Sequence, residues 1–261
     1  MISFALPTNN IGTIAITFNS FWVEPQLMTG EGSPEGLGMT SSQPSLFSPT
    51  HFQLKASYAN KIFNSLAVGV SLSWLNISHS GIPVGQESGL GETSAVLVDL
   101  GILMNDLLPN ATYIKPSKLK SDLICNEEKS GFAFGLSLLN FGPKIFFIDR
   151  NQEDPLPSRI LFGLSYWALS TDLISAKLAL DFENRIYDSD SFDYIHIGSD
   201  FQFYKVFSLR AGYVVNNIDS DLSYFTMGVG AKIKYASFNI ARYTKFITPT
   251  WNFDIRINYE I

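Results

Sequence analysis

The chain has 261 residues, 46% of them hydrophobic and only 16% charged, against a usual charged share of roughly 25%. A net charge of −6 and a pI of about 5.0 exclude a basic nucleic-acid surface. The single cysteine, Cys125, excludes an intrachain disulfide and a cysteine-rich metal site.

Composition leans toward an exterior that is partly non-aqueous. Phe (21) and Tyr (11) are abundant, which favours strands. No run reaches the ~18 apolar residues of a membrane helix. A membrane position would therefore require a closed barrel, in which every backbone group finds a partner. The opening MISFALPTNN has no basic region, long apolar run and cleavage site, so it does not read as a signal peptide. An exported chain would then have its true start upstream.

Period-2 alternation begins near 2–7 and recurs along the chain. In 13–23, Ile14, Ile16, Phe18 and Trp22 oppose Ala15, Thr17 and Asn19. In 51–59, Phe52, Leu54, Ala56 and Tyr58 oppose Gln53, Lys55 and Ser57. In 65–78, Leu66, Val68, Val70, Leu72 and Trp74 oppose Ala67, Gly69, Ser71 and Ser73. In 93–104, Val96, Val98, Leu100 and Ile102 oppose Ala95, Asp99 and Gly101. In 173–186, Ile174, Leu178, Leu180 and Phe182 oppose Lys177, Asp181, Glu183 and Arg185. In 225–235, Phe225, Met227, Val229, Ala231 and Ile233 oppose Thr226, Gly228, Gly230, Lys232 and Lys234. In 251–261, Trp251, Phe253, Ile255, Ile257, Tyr259 and Ile261 oppose Asn252, Asp254, Arg256, Asn258 and Glu260. No 3.6-residue stripe competes with these strands.

The polar faces are rich in Gly, Ala and Ser and carry charges of both signs. Aromatics gather near strand ends, at Trp22, Trp74, Tyr166, Trp167, Tyr194, Phe201, Phe203, Phe207 and Trp251. Short turns near 8–12, 60–63, 170–172, 204–206 and 235–237 alternate with longer loops at 24–50, 78–92, 140–158, 187–191, 216–223 and 244–250. The linker 105–129 is long where a short turn is due. Low charge, girdle-like aromatics and alternating loop lengths predict an all-β transmembrane antiparallel barrel over a soluble β-sandwich. The chain is read as one domain, 1–261, in the bacterial outer membrane. About thirteen strands are visible. Bacterial single-chain barrels have even numbers, which predicts about fourteen strands in the full-length protein and a truncated N-terminus.

Three segments carry a resemblance: GLSLLNFGPKI (135–145) followed by LPSRILFGLSYW (156–167); HIGSDFQFYKVFSLRAGYVVN (196–216); and FTMGVGAKIKY (225–235) leading into the closing strand. Together they resemble the PorV/PorQ-type group of FadL-like outer-membrane barrels, found in the type IX secretion context. The similarity covers most of the chain, and its more specific pieces are N-x-G-P-K and LRAGY. It implies a fourteen-strand barrel. It also implies either a secretion-associated role docking exported cargo or transport of hydrophobic small molecules, as in FadL proteins. The family's segment before the barrel has no counterpart in this sequence.

Asn140, Gly142 and Pro143 end a strand. Gly permits a bend and Pro removes a ladder donor, so a kink or bulge is expected. In a FadL-like wall such a kink could open a lateral path. The charges expected on the polar face are Asp99, Lys177, Asp181, Glu183, Arg185, Asp200, Arg210, Lys232, Lys234, Asp254 and Arg256. Opposite charges in a confined lumen pair to avoid uncompensated burial, so they form either a stiffening ion-pair network or a selectivity lining. His51, His79 and His196 show no metal-ligand spacing. An inward His196 leaves a lipid hydrolase as a third reading, without an orienting constellation to support it. The stretch GEGSPEGLG, with Gly30, Gly32, Pro34, Gly36 and Gly38, does not open a helix and reads as an external loop, the best surface for a protein partner. The reading is thus non-enzymatic, without cofactor or metal. The expected partners are outer-membrane lipid with secretion proteins, exported cargo or hydrophobic small molecules.

Overall fold

The computed structural model describes residues 1–8, 11–22, 24, 26–27, 46–78, 92–105, 107, 131–146, 153–171, 173–186, 193–244 and 249–257. The strands are β1 (Ile2–Thr8), β2 (Gly12–Trp22), β3 (Gln26–Leu27), β4 (Leu46–Phe47), β5 (Thr50–Phe63), β6 (Leu66–Ser78), β7 (Glu92–Met104) and β8 (Phe132–Phe141). There follow β9 (Arg159–Ser170), β10 (Ile174–Arg185), β11 (Tyr194–Phe203), β12 (Phe207–Asn216), β13 (Tyr224–Ile233), β14 (Ala236–Thr244) and β15 (Pro249–Ile257). Thirteen of them form one antiparallel sheet in chain order, running from β1 to β15, while β3 and β4 pair with each other. The protein is all-β, and among the described residues the only helical turn is a 3-10 turn at Ser220–Leu222.

The chain divides into two compact units. The first comprises Met1–Ile62, Val68–Gly101 and Leu138–Arg159; the second comprises Phe63–Ala67, Ile102–Ser137 and Ile160–Ile261.

Each unit inverts the usual distribution of burial. In β13 the alternating Phe225, Met227 and Val229 are 62%, 53% and 51% exposed. The same face is exposed at Ile14 and Ile16 in β2, Leu72 and Trp74 in β6, Val96 and Leu100 in β7, and Leu178 in β10. The buried residues are instead largely polar, among them Ser73, Asp99, Ser175, Glu183, Ser208 and Asn216. A soluble sheet would shelter the isoleucines and leave the serines wet. Aromatic rows tie strands together on the exposed face. In the first unit Phe52 lies edge-on to both Phe18 and Trp74, at 5.0 and 5.4 Å between ring centres. In the second, Phe162 meets Phe134 at 5.1 Å and Phe182 at 6.1 Å.

Among the described residues, a cluster of buried apolar side chains forms in the first unit. Ala95 and Leu97 of β7 are covered by Ile145 and Leu156, with Leu75 and Ile77 of β6 packed alongside. The covering residues come from the segment after β8, where Ile145 and Asp154 exchange backbone hydrogen bonds of 2.9 and 2.8 Å. Sequence reasoning takes 140–158 as a long external loop. In the structure its described ends fold onto the sheltered face of β6 and β7. The reason is that this face is not wholly polar: Leu75, Ile77, Ala95 and Leu97 form an apolar patch there, and Ile145 and Leu156 cover it.

Candidate functional site

The sheltered polar face carries the charges, and its chemistry differs between the two units. In the first unit Asp99, only 7% exposed, is the hub. Lys55 Nζ of β5 lies 2.6 Å from Asp99 Oδ2, and the Asn140 backbone N–H donates to Asp99 Oδ1 at 2.8 Å. Asn140 occupies the left-handed region, with φ 54°, which Asn tolerates better than most residues. Its carbonyl accepts from Ser158 Oγ at 2.7 Å. The next turn brings Gly142 so close that a Cβ would lie 2.8 Å from the Val96 carbonyl oxygen and 2.9 Å from Leu97 Cδ2. Asn140, Gly142 and Pro143 therefore lie where β8 ends and the covering segment begins. Asn140 reverses the backbone and Gly142 permits the approach to β7. Lys55 is the partner that sequence reasoning did not single out, although its place opposite Leu54 and Ala56 put it on the same face as Asp99.

In the second unit the strand registers set out the charges in rows. Lys177 pairs with Asp200, Asp200 with Arg210, and the row continues through Gly228 and Ala241 to Asn252. Arg210 Nε lies 3.5 Å from Asp200 Oδ2, and its Nη1 donates to Asn239 Oδ1 at 2.9 Å. Gln202 donates to the same Asp200 oxygen at 3.3 Å. Lys177 sits over the Trp167 ring, 5.4 Å from its centre. Nearer the short turns, Lys232 pairs with Ser237 and Ser237 with Arg256. Arg256 Nε bonds Asp254 Oδ2 at 2.9 Å. Lys234 lies beyond β13 in the connecting turn, with its ammonium 5.4 Å from the centre of the Tyr235 ring.

Toward the longer connections the face becomes acidic. Asp181 pairs in register with His196, and Glu183 Oε2 lies 3.3 Å from His196 Nε2. Gly163 leaves the room that the Asp181 carboxylate occupies. Arg185 Nε and the Arg185 backbone N–H both donate to Asp193 Oδ2 at 2.9 Å. Asp193 is fully buried yet precedes β11 in a connection, where no alternation could mark it. Between the two ends lies a waist of small residues, Ala179, Gly198, Gly212 and Thr226, in register across β10–β13.

Among the described residues, cavities open on this face of the second unit. One of about 610 Å³ lies at the short-turn end and includes Lys205, Lys232 and Arg256. Another, of about 510 Å³, spans the waist and reaches Asp181, His196 and Tyr224. No cluster of three or more metal-ligating side chains occurs among the described residues, and no described helix is long and apolar enough to cross a membrane. Gly30, Gly32, Pro34, Gly36 and Gly38, with His79, lie outside the described residues. No family model matches the chain, and no curated protein matches it.

Proposed function

We propose that this chain is a non-enzymatic β-barrel of the bacterial outer membrane that docks exported proteins, as the PorV-like group it resembles does. One observation carries the membrane reading: strand after strand exposes its large apolar side chains and shelters its serines and carboxylates. Contiguous exposed apolar surface on this scale needs a non-aqueous neighbour, and in lipid only helices and closed barrels satisfy the backbone. The covering segment at Ile145 and Leu156, together with the ion pairs on the sheltered face, favours docking over passage of hydrophobic molecules. The cavity of about 510 Å³ favours the second reading, a FadL-like channel. The test is a gentle detergent extraction from the native outer membrane, followed by affinity capture and mass spectrometry. Secretion components or exported cargo in near-stoichiometric amounts are expected. A barrel that arrives alone, and that carries a hydrophobic compound into liposomes, would favour the channel instead.

A further inference from the structure

The exposed face of β10–β15 breaks its own rule at one place. A register row runs from Leu178, in the middle of β10, through Ser199, Ala211 and Met227 to Arg242 and then Trp251. Leu178, Met227 and Trp251 of this row are exposed. Parity therefore sets Arg242 on the apolar face, away from Lys177, Arg210 and Arg256. Among the described residues of these six strands, every other position of that parity is uncharged.

Arg242 stands two residues before the end of β14, and Trp251 two residues after the start of β15. Both thus flank the connection 245–248, whose sequence is Lys-Phe-Ile-Thr, without a carboxylate. The guanidinium carbon lies 5.4 Å from the centre of the Trp251 ring. Its Nε is enclosed and meets no hydrogen-bond acceptor among the described residues. The neighbouring surface is aromatic and apolar: Phe225 and Met227 are exposed, and Tyr213 lies against Phe225 at 4.6 Å between ring centres.

We propose that Arg242 and Trp251 hold the anionic phosphate headgroup of a membrane lipid at the long-connection end of the apolar face. The inference rests on the membrane reading above and names a lipid class for one place on it. A cation on a lipid-facing strand is costly at the midplane and cheap near the interface, and the position of Arg242 close to the end of its strand fits the second. A long side chain there reaches toward the headgroups. An indole belongs at the same level, where one edge is apolar and the other wet. The ring steadies the guanidinium from one side. The N–H fork that remains matches two phosphate oxygens, which a point charge would not. Phe225 and Met227 supply the wall along which the acyl chains lie.

The test uses the full chain in phosphatidylcholine vesicles, with bromine on one lipid at a time to quench indole fluorescence. Each protein is compared with its Trp251→Phe counterpart, so that the difference is the emission of Trp251. At equal mole fraction, brominated phosphatidylglycerol is expected to quench Trp251 as if enriched about fivefold over brominated phosphatidylcholine. Arg242→Gln should abolish the enrichment while phosphatidylcholine still quenches, which shows that the variant is inserted. Arg242→Lys should retain part of it, and Lys61→Gln, on β5, all of it. Equal quenching by the two lipids, or enrichment that survives Arg242→Gln, would overturn the proposal and leave the membrane reading standing. So would enrichment displaced by inorganic phosphate, which would assign Arg242 to a soluble anion. A Trp251 that neither lipid quenches would overturn the membrane reading and this proposal together.

Discussion

At the scale of single residues, the best-determined feature is Asp99. Its carboxylate accepts from Lys55 and from the Asn140 backbone, so it holds a charge on β5 and the chain reversal after β8 at once. Removing one partner of a buried pair leaves the other uncompensated, and Lys55 retains partial access to water, which lowers the cost. Asp99→Ala is therefore expected to destabilise the protein by about 2 kcal/mol. Asp99→Asn, which keeps an acceptor for the Asn140 N–H, should cost less. Urea titration of the three proteins in lipid vesicles checks the order, and equal stabilities would remove Asp99 from its role as hub.

At the scale of elements, the strands were legible because period 2 was written into nearly all of them. Phe225, Met227 and Val229 against Thr226, Gly228 and Gly230 required only counting, and the observed exposure follows that alternation residue by residue. Charges within strands, such as Lys177 and Asp200, were legible for the same reason. The covering segment was not. Ile145 and Leu156 belong to no regular element, and the patch they cover interrupts the polar face of β6 and β7 only locally. Lys205 escaped because it lies in a turn, where side-chain direction depends on φ rather than on parity. The contact formed by Ile145 leads to a specific expectation. Ile145→Ala should cost roughly 2–5 kcal/mol if the whole fold depends on this cluster. A segment that can lift away separately should instead show faster proteolysis between 146 and 153 with an unchanged midpoint of unfolding. We expect the second outcome, because the cluster contains few residues and its covering members, Ile145 and Leu156, lie outside the strands, so the pairing of β6 with β7 does not depend on them. Limited proteolysis beside urea titration distinguishes the two.

At the scale of the whole molecule, the account depends on what meets the exposed apolar face. If that neighbour is lipid, a charge placed there is expensive. Leu178→Arg, in the middle of β10, is expected to cost about 2–4 kcal/mol for folding into bilayers, and the same change on a water-facing surface would be nearly neutral. Comparing Leu178→Arg with Leu178→Ala by urea titration in vesicles isolates the charge from the lost side chain. A lipid neighbour would also account for the low charged fraction of 16%, since a lipid-facing surface has no use for ions.

The most direct measurement is a spin-label scan of 225–233 in a Cys125→Ser background, with the protein reconstituted in lipid vesicles. Each label is tested for collision with oxygen, which partitions into lipid, and with a water-soluble nickel chelate. Labels at Phe225, Met227, Val229 and Ala231 should be reached by oxygen and shielded from nickel, while those at Thr226, Gly228, Gly230 and Lys232 should not be. A period of two in the ratio would establish lipid contact on the apolar face. High nickel access at the apolar positions, or no alternation at all, would contradict it.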